Sequence, residues 1–160
     1  MPQISIEYMI MIPLLILQVF LFPLTVGWMM NSWADSRQTL ALRETASHVG
    51  SLVHQVYSAL NHDSISDGEV TNTLKVPPFI EGYSYSGNAS LRDAADNASK
   101  ILDITLKFKG ASVDATASVT LGANVMWNAD SMFLSNSSYA SLLAEKMPNG
   151  SVLMYFTGVD

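Results

Sequence analysis

Tyr8-Met-Ile-Met-Ile-Pro13-Leu-Leu-Ile-Leu-Gln18-Val-Phe-Leu-Phe-Pro23-Leu-Thr-Val-Gly27-Trp-Met-Met30 is a run of 23 residues without an Asp, Glu, Lys or Arg. As a helix rising 1.5 Å per residue it spans about 34 Å, more than the roughly 30 Å of a bilayer's hydrocarbon core. A cleaved secretory signal would have a basic start, an apolar core of about 7–15 residues and a small-residue cleavage site. Here no Lys or Arg precedes Arg37, the run is longer, and Asn31-Ser-Trp-Ala-Asp35 follows it. The expectation is a retained hydrophobic helix.

Outside this run the chain is polar. Its 160 residues suit one modest domain, and only 14 % are charged, against about 25 % in a typical soluble domain. The formal net charge of −6 and the lack of a basic stripe argue against a nucleic-acid partner. With no cysteine, disulfides, iron–sulfur clusters, Cys-based zinc sites and thiol nucleophiles are excluded.

Pro13 and Pro23 do not suit a plain anchor. Each removes a backbone donor and crowds the preceding turn. Lipid tolerates that where neighbouring helices or local adjustment satisfy the freed carbonyls. One reading is a kinked single-pass helix; the other is a helix that repacks against copies of itself.

After Met30 the chain turns polar without a break, with no Pro and only Gly50 between Asn31 and His62. Leu42, Ala46, Val49, Val53, Val56 and Leu60 recur at spacings of four and three, one narrow helical stripe. The helix is therefore expected to run from Ile4 to near Asn61, close to 90 Å if unbroken. Residues 4–30 form its membrane or filament-core part, and residues 31–62 are amphipathic. The stripe packs under a globular head, or belongs to a stalk or coiled coil.

From residue 63 to 160 the pattern is of short strands, giving an α+β fold with a small antiparallel β-sheet or β-sandwich head on a lollipop stem. Val70–Val76, Phe79–Ser86 (stopped by Gly87-Asn88), Ile101–Phe108, Ser112–Leu121, Ala123–Trp127 and Val152–Phe156 read as strands. Ser138–Lys146 reads as a short helix, and Pro148-Asn149-Gly150 as a turn.

The string Gln3-Ile-Ser5-Ile-Glu7-Tyr8, set directly before the apolar run, resembles the class III signal peptide of archaeal type IV pilin-like proteins. Val76-Pro-Pro-Phe-Ile-Glu-Gly-Tyr-Ser-Tyr85 is also loosely similar to the first head strands of archaeal pilins. The resemblance implies cleavage between Pro2 and Gln3 by a prepilin peptidase. It also implies a membrane-inserted precursor, an assembly platform, and a homopolymeric extracellular filament built through the retained helix and serving adhesion or surface attachment. The sequence departs from the family in one respect: Met1-Pro2 stands where leaders carry basic residues and a Gly. Glu7, Tyr8, Pro13 and Pro23 are the assembly candidates. Glu7 has a plain reading as an acid near a helix N-terminus. In the pilin reading it pairs with the α-amino group freed at Gln3 of a neighbouring subunit, since either charge alone is costly in an apolar core.

No catalytic site, cofactor or metal site is expected. His48, His54 and His62 are spaced by six and eight, which does not bring two imidazoles to one metal. P-loop, dinucleotide, EF-hand and nucleophile-elbow patterns are absent, and Ser131, Ser135, Ser137, Ser138 and Ser141 read as a polar surface loop. Asn88-Ala-Ser90, Asn97-Ala-Ser99, Asn136-Ser-Ser138 and Asn149-Gly-Ser151 match the N-glycosylation acceptor, all in expected loops. The alternative to a filament subunit is a single-pass membrane-anchored extracellular β-domain, an accessory or receptor protein that does not polymerise. The pairing of Glu7 yields one expectation: Glu7→Gln leaves the chain in the membrane but strongly reduces filaments sheared from cells, quantified by immunoblot. Normal filament yield would remove that role.

Overall fold

The computed structural model describes residues 3–95 and 98–159, with side chains from Tyr8 onward. It is an α+β chain: the described residues form one long helix, α1 (Gln3–Leu60), then eight strands in two sheets. Two compact units divide within the helix, Met1–Arg37 and Gln38–Asp160.

The described residues of the first unit are all helix. It carries Pro13 and Pro23 in its interior, and every large apolar side chain from Tyr8 to Trp33 is exposed. The Thr25 hydroxyl donates to the Phe22 carbonyl (2.9 Å) and Ser36 to that of Ser32 (2.8 Å), local bonds that bend helices slightly. Arg37 lies over the Trp33 ring, 4.9 Å from its centre.

In the second unit the remainder of α1 supplies a core face. Leu42, Ala46, Val49, Val53, Val56 and Leu60 are all buried, as the stripe predicts. The strands are β1 (Gly68–Thr73), β2 (Tyr85–Asp93), β3 (Ser99–Phe108), β4 (Asp114–Gly122), β5 (Val125–Trp127), β6 (Met132–Leu134), β7 (Ser141–Lys146) and β8 (Val152–Thr157). They form sheets ordered β1-β7-β8-β5 and β4-β3-β2-β6, antiparallel except for the β5–β8 pair. Alternation buries Leu102, Ile104, Leu106 and Phe108 on β3 and Val152, Met154 and Phe156 on β8. Gly50 brings α1 close to Ile104 and Val119, so the helix lies on the β3–β4 part of its sheet. The Phe133 and Phe156 rings meet edge to face at 5.0 Å and join β6 to β8.

Polar ties close the C-terminal end of α1. Asn124 accepts from the Tyr57 hydroxyl (2.8 Å) and donates to Asn61 (2.9 Å) and to the Gly150 carbonyl (2.8 Å). Buried Lys146 donates to the His62 carbonyl just past the helix end (3.0 Å), which also takes the Ile65 N–H (3.1 Å); the negative end of the helix dipole favours a cation there. Tyr85 is fully buried and donates to the Pro77 carbonyl (2.7 Å), and burial pushes its hydroxyl pKa up.

Several local expectations are corrected. Of Phe79–Ser86 only Tyr85 and Ser86 lie in a strand, at the start of β2; before them Ile80 and Tyr83 bridge across a turn, with Glu81 (φ 50°) and Gly82 (φ 86°) left-handed. The strand instead runs through Gly87-Asn88, because Gly87 is there to admit neighbours. A Cβ at this position would collide with the Phe133 ring and Leu106. Ser138–Lys146 is not a helix; residues 141–146 pair with both β1 and β8, and that pairing overrides the helix-forming Leu-Leu-Ala-Glu-Lys composition. The three-residue β6 has no sequence signal of its own, and His62 lies in the turn beyond α1. Ser135 is buried rather than a surface residue, accepting from the Tyr85 N–H (2.9 Å) and donating to the Pro78 carbonyl (2.8 Å). Ser131 is buried as well.

The close approach at Gly87 generates an expectation for stability. Gly87→Ala should cost about 1–3 kcal/mol by overpacking, read as a lower urea midpoint of the full chain. An unchanged midpoint would show that Phe133 and Leu106 move aside freely.

Candidate functional site

The apolar segment of α1 is the largest chemical anomaly among the described residues. It is the one described helix long and apolar enough to cross a membrane, and none of its most apolar window is buried. Exposure of a large apolar side chain to water forgoes about 1.5–3 kcal/mol of burial free energy, so this surface needs a partner or a lipid phase. Tyr8 and Trp28 lie twenty residues apart, about 30 Å along a helix. Amphipathic rings at that separation match the two interfaces of a bilayer.

Tyr8, Pro13 and Pro23 are all exposed on this segment. Gln3 and Glu7 belong to α1, with their side chains outside the described residues; Pro2 lies wholly outside them. Each proline lacks the N–H that would bond the carbonyl four residues earlier, which leaves those of Met9 and Val19 without that donor.

The four acceptor asparagines fall in different settings. Asn136 and Asn149 are exposed in turns, as expected. Asn88 is exposed too, but it sits in β2 between Thr105 of β3 and Met132 of β6, not in a loop. Asn97 lies outside the described residues. The Asn149 side-chain Oδ1 accepts from the Ser151 hydroxyl (2.6 Å) and N–H (3.0 Å). Its turn is held by the Gly150 N–H on the Met147 carbonyl (2.9 Å) and by Gly150 at φ 82°.

Sequence reasoning missed a polar network on the outer face of β2, β3 and β4. Arg92 Nε donates to Asp103 Oδ2 (2.6 Å), and the Ser118 hydroxyl to Asp103 Oδ1 (2.5 Å). Beside them the Thr105 and Thr116 hydroxyls share a hydrogen bond (2.9 Å). The residues alternate correctly for one face, but only the strand register brings them together. The Arg92 bond, then that from Ser118, holds the Asp103 carboxyl below its usual pKa. His48 and His54 are exposed on α1, and no three His, Cys, Asp or Glu side chains gather as metal ligands among the described residues.

Comparison with protein-family models, with curated proteins and with solved structures gives no match.

The Asp103 network implies a pH dependence of defined sign. A carboxyl whose folded pKa is lowered adds stability above the unfolded value of about 4, and that contribution is lost as pH falls through the folded value. Asp103→Asn should therefore lower the urea midpoint at pH 7 and converge with the parent chain in acid. Equal midpoints at pH 7 would show that the network adds nothing.

Proposed function

We propose that the chain is a structural subunit of a type IV pilus-like filament on an archaeal cell surface, polymerising through Tyr8–Met30 and serving adhesion or surface attachment. The observation that carries this reading is an uncovered apolar helix interrupted by two prolines. Packing against other protein both covers such a helix and supplies donors for the carbonyls the prolines free. The resemblance carried by Gln3–Tyr8 supports processing before Gln3, just upstream of this helix segment. Copies packed by one repeated contact between unlike faces form an open helical polymer. Before assembly the same segment holds the precursor in the membrane, where a prepilin peptidase and an assembly platform act on it. No catalytic step, cofactor or nucleic acid enters this role. The β-rich unit then faces outward, and its exposed acceptor asparagines carry N-glycans that add solubility to a weakly charged surface.

A second reading, a single-pass anchor for an extracellular β-domain that never polymerises, draws on the Tyr8–Trp28 separation. It leaves the Met9 and Val19 carbonyls in hydrocarbon with no donor from a neighbour.

Mass spectrometry of the N-terminal peptide from filaments sheared off native cells separates the two. The filament reading expects a peptide that starts at Gln3. A chain confined to the membrane fraction and starting at Met1 would overturn it in favour of the anchor.

A further inference from the structure

We infer that Gln18 of one copy donates its carboxamide N–H groups to a backbone carbonyl opened by Pro13 or Pro23 in a neighbouring copy. The partner is thus a second copy of this chain, and the inference rests on the self-association in the proposed function.

The apolar segment carries few side-chain donors. Tyr8 and Trp28 sit near its two ends. Thr25 is engaged locally, its hydroxyl on the Phe22 carbonyl at 2.9 Å. That leaves Gln18, exposed and five residues from each proline. In hydrocarbon its own N–H groups are stranded just as the Met9 and Val19 carbonyls are, since lipid tails supply neither donors nor acceptors. Two unmet acceptors and a two-donor side chain therefore occur in one otherwise apolar stretch. Pairing them relieves both costs at once.

The pair does not close within one helix. Helical side chains tilt toward the N-terminus, which places the Gln18 carboxamide over Leu14 and Leu15. The carbonyls of those residues take the backbone N–H groups of Gln18 and Val19 in the regular helical pattern. The Val19 carbonyl points the other way, toward the C-terminus. Met9 is nine residues from Gln18, about 13 Å along the axis and about 180° around it. Opposite faces of one helix are the two surfaces that meet when copies pack head to tail. A neighbour displaced along the axis brings the Gln18 of one copy to the opened backbone of the next.

The test is a coupling measurement on the full-length chain in lipid vesicles. Association is read by Förster transfer between copies labelled on the β-rich unit, over a series of lipid dilutions. Gln18→Leu should weaken association about three- to twentyfold. In a Pro13→Ala/Pro23→Ala background, where both N–H donors are restored, the same substitution should have almost no effect. Circular dichroism confirms that the helix persists in each variant. Equal association of Gln18→Leu and the parent, an equal loss in both backgrounds, or a parent that stays monomeric would each overturn the inference. Filaments resolve the two levels. Gln18-dependent association of a chain absent from sheared filaments sinks the filament and leaves the contact. Filaments of Gln18→Leu as heat-resistant as the parent's sink the contact and leave the filament.

Discussion

Backbone hydrogen bonding in an apolar setting is the constraint on which the rest of this molecule depends. From Tyr8 to Met30 the side chains are uncharged and mostly apolar, and helical bonding is the means by which the backbone avoids unpaired groups there. Pro13 and Pro23 break that provision at two places. A segment so made must recover those bonds by local adjustment or from a neighbour. The proposed filament completes it with other copies, and a lipid phase alone does not supply the missing donors.

The β-rich unit solves its own problem differently. Its share of α1 is a spine whose apolar face, Leu42 to Leu60, is buried, with Gly50 set against Ile104 of β3 and Val119 of β4. Buried polar groups there have named partners. Ser135 serves the Tyr85 N–H and the Pro78 carbonyl, and Lys146 serves the carbonyl past the helix end. Asn124 joins α1 to the turn before β8 through three bonds, so the turn that presents Asn149 is tied to the core. The Trp127 indole N–H is the buried side-chain group left without a partner among the described residues, packed edge-on to Phe156 at 4.9 Å.

Local pattern was a good guide where one face meets one environment. The α1 stripe and the alternation of β3, β4 and β8 follow from burial on a single side, and each is visible in residue spacing. It misled where a residue has a different meaning in three dimensions. Gly87 and Asn88 look like a turn, yet Gly87 is small because a ring lies against it. Leu142 to Lys146 has helix-forming composition, yet two neighbouring strands claim its backbone. Ser135 looks like one more loop hydroxyl, although it bonds two backbone groups inside the protein.

The sequence by itself determined that this chain carries an uncharged helix long enough to cross a bilayer, and that an amphipathic stretch and a run of strands follow it. Those features depend on composition and on the periods of helix and strand, which are properties of neighbouring residues. Only the tertiary structure decided that the strands divide into two sheets with β5 beside β8, that Asp103 meets Arg92 and Ser118, and that Asn88 stands in a strand. Each of these depends on which distant segments pair and in what register. Pairing is settled by the packing of the whole core, and no short window of residues contains that information.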